Sequence, residues 1–281
     1  MQRSVTTGVI QGIKQDLPVF VAFVKVFWIA WGVRSRFELI KLFGFTVWKR
    51  TLRRKAFVTP FKLCLSTPYG AATVRIRDMA DITTVCAVFV EGEYDLESPI
   101  GEVKTVLDLG SNIGVSVEYF RLQYPAAHIY AVEADPTIFK RLQENCSGMD
   151  KVELIHAAIA NKIGPIEFHT SESSVSGSLY ERGSSADATR ISGFTIDDLI
   201  EKYGIGPVDI LKFDIEGAEF DAFPASPLTL HGTRVVMGEV HPDIGNRPVQ
   251  EFLDLFSNYT VEITAKEKGR FILKAAHNSL V

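Results

Sequence analysis

The chain has 281 residues, 46% hydrophobic and 23% charged, which gives room for one large α/β domain and an appendage. The net charge of −4 hides an asymmetry: the first 60 residues carry eleven Lys or Arg against only Asp16 and Glu38, so the rest is strongly acidic. Three cysteines (Cys64, Cys86, Cys146), odd in number and without C-x-x-C spacing, argue against a disulfide frame or a zinc ribbon and for reduced thiols in a cytoplasmic setting.

Residues 1–16 are polar. Leu17–Val33 is the most apolar run of the chain, and Phe20, Phe23, Val24, Phe27, Trp28 and Trp31 within it fall at i, i+3, i+4, i+7, i+8 and i+11. As one helix they make an aromatic stripe. At ~1.5 Å per residue the run reaches about 25 Å and carries Lys25 at its centre, which is short for a bilayer core. Three readings stand: a helix packed on the domain, an interfacial membrane helix, and a span. No small-residue cleavage site follows, so no cleavable leader is expected. Lys49–Lys55 adds five basic residues beside Trp48. Either they are a solvated helix face, or with residues 17–55 they form a peripheral membrane contact. The acidic remainder offers no surface for nucleic acid, and none is expected.

Phe61–Ser66, Ala72–Arg77 and Val85–Val90 are β-favouring runs separated by turn signals, and predict a small strand-rich cap over 61–102. From Val103 strands and helices alternate regularly, which predicts a largely parallel sheet covered on both faces. Strands are expected at Thr105–Leu109, Ile129–Glu133, Val152–His156, Val208–Phe213 and Arg234–Gly238, with a short extra one at Ile166–His169. Asp135-Pro136 and Thr195 open helices. Ser171–Arg190 reads as a long Ser/Gly-rich loop. A helix near Val249–Phe256 precedes a terminal hairpin of Thr260–Ala265 and Arg270–Ala275.

The chemistry concentrates where strands end. Thr105–Leu109 runs into Gly110-Ser-Asn-Ile-Gly114 and then a helix, with Asp108 at the strand end and Glu133 closing the next strand. Gly110 permits a tight turn close to a ligand, and a helix N-terminus supplies free N–H groups. The spacing is not the G-x-G-x-x-G of dinucleotide sites, and no P-loop Lys follows. An acid such as Glu133 suits ribose hydroxyls. Asp-x-Gly-x-x-x-Gly with Glu133 resembles the S-adenosylmethionine site of class I methyltransferases. Two further strands end in Asp214-Ile-Glu-Gly-Ala-Glu219 and Glu239-Val-His-Pro242. Asp214, Glu216, Glu239 and His241 are thereby gathered at one sheet edge, and one of them is the candidate base for an alcohol nucleophile. Cofactor orientation, helix capping or a structural turn are the alternatives at these positions. Asp214, Glu239 and His241 have the types for a Mg²⁺-like ion, but their spacing does not demand one, and no metal is assigned.

Taken together, LDLGSNIG (107–114), VEADP (132–136), FTIDDLI (194–200), VDILKFDIEGAE (208–219) and EVHP (239–242) resemble the FkbM family of S-adenosylmethionine-dependent methyltransferases over roughly residues 61–281. Gly92-Glu-Tyr94 and Gly177-Ser-Leu179 fit the same pattern. Ser111 stands where the family often has Ala, and Phe213 where it often has Ile or Val. The resemblance implies a Rossmann-like seven-stranded, mostly parallel sheet with a terminal antiparallel hairpin. It divides the chain into a basic helical arm (1–60) and a methyltransferase domain (61–281, cap 61–102 and core 103–281). It also implies cofactor contacts from Asp108, Gly110, Ser111, Asn112, Gly114, Glu133, Ala157 and Asp214, and O-methylation of a sugar, natural-product or lipid-linked hydroxyl. The competing classes are an NAD-dependent oxidoreductase on the same fold and a non-catalytic module. Oligomeric state and acceptor are not readable in the sequence.

Overall fold

The computed structural model describes residues 17–52, 59–169 and 188–280. The described residues divide into two units, one on each side of the Glu93–Tyr94 boundary.

In the first unit the Leu17–Val33 run does not form one helix. Helix α1 spans 17–29, and the chain then leaves the helix so that Ala30 can bridge to Leu65 and Trp31 N–H can donate to the Cys64 carbonyl at 2.8 Å. Helix α2 follows at Gly32–Leu52. Strands β1 (Phe61–Thr67) and β2 (Gly70–Ile76) pair as an antiparallel hairpin. The expected strand at Val85–Val90 is instead part of helix α3 (Met79–Phe89). Its β-branched residues favour a strand locally, but Asp78 and Asp81 form a reciprocal capping box. The helix also buries Met79, Ile82, Val85, Cys86 and Phe89 at helical spacing. The aromatic stripe splits as well: Phe23 is buried and stacks on Phe43 at 4.7 Å, while Phe20, Val24, Trp28 and Trp31 stay exposed. No helix among the described residues is long and apolar enough to cross a membrane.

The second unit is built on a seven-stranded sheet in the order β11-β12-β10-β9-β3-β4-β5. Its parallel strands are β3 (Thr105–Leu109), β4 (His128–Glu133), β5 (Val152–His156), β9 (Ile210–Phe213) and β10 (Val235–Val240). β11 (Tyr259–Ala265) and β12 (Phe271–His277) form the terminal hairpin, and β12 lies antiparallel to β10. β9 is buried throughout and β10 nearly so, as expected of strands covered on both faces. Helices α4 (Val115–Gln123), α5 (Pro136–Cys146), α6 (Ile196–Tyr203), α7 (Glu219–Ala222), α8 (Pro227–Gly232) and α9 (Val249–Leu253) connect them. Asp135 caps α5 by accepting from Thr137 and Ile138 N–H, and Thr195 caps α6 by accepting from Asp198 N–H. The main core joins Leu107, Leu211, Phe213, Phe223, Phe252 and Leu273.

A separate three-stranded sheet, β6-β8-β7, is larger than the single extra strand expected: β6 is Ala158–Ile159, β7 Gly164–His169 and β8 Ala188–Phe194. The Ser171–Arg190 loop therefore ends earlier than expected, because Ala188–Arg190 pair with β7. Residues 170–187, which hold the rest of that loop, lie outside the described residues.

Candidate active site

From β3 the chain proceeds to β4 and β5 on one side, then returns to β9 and β10 on the other. The crevice beyond the carboxyl ends of β3 and β9 is thus the topological switch point, where open α/β sheets take their ligands. The turn after β3 sits there.

Gly110 has φ +74°, and a Cβ on it would lie 1.9 Å from the Asp214 carbonyl oxygen, so only glycine lets this turn pass the end of β9. Gly110 and Ser111 N–H both donate to the Val132 carbonyl at 2.9 Å, which ties the turn to the end of β4. Asn112 holds φ +49°, and its N–H donates to Glu133 Oε2 at 2.9 Å. Gly114, at φ +90°, opens α4, and a Cβ there would strike Cys146 Sγ at 2.8 Å.

Glu133 Oε1 accepts from Asp135 N–H at 2.8 Å, so each carboxylate oxygen is held by one backbone donor and keeps acceptor capacity. Desolvation pushes the Glu133 carboxyl up to about 7, against the pull of those two N–H groups. Ala157 is buried beside it, and its N–H donates to the Glu133 carbonyl at 3.2 Å.

Asp108 and Ser111 are turned inward. Asp108 is fully buried, with Oδ1 2.9 Å from Lys212 Nζ and Oδ2 accepting from Ser116 Oγ at 2.6 Å. Lys212 Nζ also donates to the Gly110 carbonyl at 2.6 Å. Asp108 thus shapes the turn from beneath. Lys212 was not singled out in the sequence. The available signal was a lone lysine inside an apolar strand.

The second cluster lies at the ends of β9 and β10. His241 is 1% exposed, and its Nδ1 pairs with Glu219 Oε1 at 2.9 Å. Glu219 is completely buried and also accepts from Gly217 N–H. The opposite nitrogen of His241, Nε2, faces Asp214 Oδ1 at 3.8 Å, Glu216 Oε2 at 3.8 Å and Glu239 Oε1 at 3.6 Å. All four candidate residues are therefore brought together, and Glu219, which sequence reasoning passed over, orients the imidazole. Burial disfavours the imidazolium, but the Glu219 hydrogen bond and the surrounding carboxylates outweigh it and push His241 up to about 9. At neutral pH it carries its proton, and the carboxylates are the proton acceptors of the cluster. Arg270 lies 3.8 Å from Glu239 and pairs with Asp243 at 3.0 Å.

A mostly parallel seven-stranded sheet closed by an antiparallel hairpin, with a Gly turn at its switch point and an acid ending the next strand, defines the Rossmann-like class I methyltransferase architecture. A sequence model of the methyltransferase FkbM domain matches residues 108–264, and the chain belongs to this family of methyltransferases. It is 27% identical over 173 residues to the 2-O-methyltransferase NoeI of Sinorhizobium fredii, covering 55% of this chain and 71% of the relative. It is 24% identical over 180 residues to the hexuronic acid methyltransferase AglP of Haloferax volcanii, covering 64% and 70%. Among solved structures, methyltransferase FkbM from Methylobacillus flagellatus aligns with a TM-score of 0.47 at 14% identity, over 94% of this chain and 60% of that one.

Proposed function

We propose that the chain is an S-adenosylmethionine-dependent O-methyltransferase acting on a sugar hydroxyl, free or lipid-linked. The observation that carries the cofactor assignment is the pairing of Asn112 N–H with Glu133 Oε2, which sets a ribose-type acceptor beside a turn that only glycine can make. Gly110, Ser111, Asn112 and Gly114 supply the backbone of the cofactor site, Glu133 its acceptor, and Ala157 and Asp214 flank it. Asp108 holds the turn. When bound, the sulfonium supplies an electrophilic methyl group. The chain's part is to hold the acceptor hydroxyl in line and to take its proton as the O–CH₃ bond forms and the C–S bond breaks. Asp214, Glu216 and Glu239, all facing His241 Nε2, are the candidates to take that proton. O-methyl transfer is supported by the relative named a 2-O-methyltransferase, and a sugar-type acceptor by the relative named a hexuronic acid methyltransferase.

The first unit adds a contact with anionic membrane. Trp28 is 73% exposed, and Phe20, Val24, Trp31, Phe37 and Ile40 are also uncovered, on helices from the strongly basic first 60 residues. An uncovered aromatic face with basic surroundings suits the headgroup boundary. Of the basic cluster, residues 53–55 lie outside the described residues.

Titration calorimetry of the full chain tests the cofactor assignment. Binding of S-adenosylmethionine with no heat from NAD⁺ is expected, and the reverse would overturn it.

A further inference from the structure

The cluster around His241 has an arrangement that proton transfer alone does not require. The nearly inaccessible imidazole is anchored through Nδ1 by Glu219, itself completely buried. Its Nε2 faces the carboxylates at 3.6–3.8 Å. Asp214 Oδ1, one of the atoms it faces, is buried and has no hydrogen-bond partner among the described residues. Glu216 reaches the same point from a backbone at φ +50°, in the left-handed region that costs a non-glycine residue energy. Ligand atoms of Asp214, Glu216 and His241 all lie within 4.8 Å of one another.

We propose that Asp214, Glu216 and His241 Nε2 bind a divalent first-row transition ion, with Mn²⁺ as its representative, which takes the place of the Nε2 proton held by the metal-free cluster and releases it to solvent, and that Glu219 is the positioning residue that directs the imidazole at it. Ligand bonds of about 2.0–2.2 Å set neighbouring ligand atoms about 2.8–3.6 Å apart. The 3.8 Å separations from Nε2 to both carboxylates are slightly wider, so a small inward shift of the carboxylates closes them on an ion. One imidazole with two carboxylates suits such an ion better than Ca²⁺ or Mg²⁺, which favour oxygen alone. A carboxylate accepting from the far nitrogen of a ligating histidine is the usual means of fixing its tautomer, and Glu219 stands in that place. Glu239 is served differently, since Arg270 lies 3.8 Å from it. On the methyl-transfer reading, which this use of the site presupposes, the ion holds and acidifies the acceptor hydroxyl and Glu239 takes its proton. Binding of the ion itself does not depend on that reading.

The test is a Mn²⁺ titration of the full chain followed by electron paramagnetic resonance, with pulsed detection of nitrogen coupling. One Mn²⁺ per chain with coupling to a single imidazole nitrogen is expected. Glu219→Gln should weaken binding by about 10–100-fold. Asp214→Asn should weaken it by at least as much, and His241→Gln should remove the nitrogen coupling. Absence of bound Mn²⁺ in the wild type, or bound Mn²⁺ without nitrogen coupling, would overturn the site whether or not the variants fold. Calorimetry with S-adenosylmethionine on the same samples separates the two ideas. Cofactor binding without Mn²⁺ refutes the metal site alone, and Mn²⁺ binding without cofactor refutes the methyl-transfer assignment alone.

Discussion

Asp108 and Lys212 face each other in register across β3 and β9, with Oδ1 2.9 Å from Nζ and both side chains buried. The lysine reaches on to the Gly110 carbonyl, so one ion pair joins the two strands that flank the switch point and fixes the turn above them. Breaking such a pair leaves a buried charge uncompensated. Lys212→Met should destabilise the protein by about 3–5 kcal/mol, and adding Asp108→Asn should restore much of the loss. Urea unfolding of the single and double variants checks this. Losses that simply add would show that the two charges do not depend on each other.

Much of this site was legible in the sequence, and the missing parts share a cause. The strand, Gly turn and helix at 105–123, the caps at Asp135 and Thr195, and the terminal hairpin all depend on local chemistry that a few neighbouring residues display. Lys212 and Glu219 depend on what lies across the sheet. A lysine in ILKF reads as solvated until register sets Asp108 opposite it, and Glu219 looks like one more acid in DIEGAE until His241 arrives from β10. Helix α3 reads as a strand from its β-branched composition, and only the Asp78–Asp81 cap and the burial of one helical face decide otherwise. The run at 17–33 has the periodicity of one helix, which does not reveal that the backbone of Ala30 and Trp31 pairs with β1.

Glu133 should make cofactor binding pH-dependent. On the proposed cofactor site, ribose hydroxyls would donate to its ionised form, while desolvation raises its carboxyl to about 7. Affinity for S-adenosylmethionine should rise as pH increases towards 7 and level off above it. Glu133→Gln should lose that dependence and, above pH 7, bind about 1–3 kcal/mol more weakly. The sign for stability of the free protein is opposite. With a folded value above the ordinary 4.5 of a glutamate, the residue's contribution is greatest below about pH 4.5 and declines as pH rises through 7. Calorimetry and unfolding across pH 5–9, a window of about four units around that titration, read both trends.

Among the carboxylates of the His241 cluster, the one that takes the acceptor's proton should be found by single substitution. Asp214→Asn, Glu216→Gln and Glu239→Gln are the variants, and the true base should lose about 10²–10⁴-fold in turnover with cofactor affinity little changed. Near-normal turnover in all three would place proton removal outside the cluster.

Exposed Trp28 and Trp31 should anchor the full-length chain on anionic vesicles. Flotation with phosphatidylserine-containing vesicles should show binding that falls with salt, since each basic residue near the surface contributes about 1 kcal/mol. The double variant Trp28→Ala/Trp31→Ala should bind markedly less. Wild-type protein that ignores anionic vesicles at low salt would remove the membrane contact.

The central claim is methyl transfer to a sugar hydroxyl from a cofactor held by the β3–α4 turn and Glu133. Its most direct test is incubation of the enzyme with S-adenosylmethionine labelled by ¹³C at the methyl group and a panel of hexose and hexuronic acid glycans, with the products observed by NMR. A new O–¹³CH₃ resonance correlated with a sugar ring proton, formed by wild type and strongly reduced in Glu133→Gln, is the predicted result. Labelled methyl appearing on nitrogen, carbon or carboxylate, or on no glycan of the panel while S-adenosylhomocysteine accumulates with another acceptor, would contradict it.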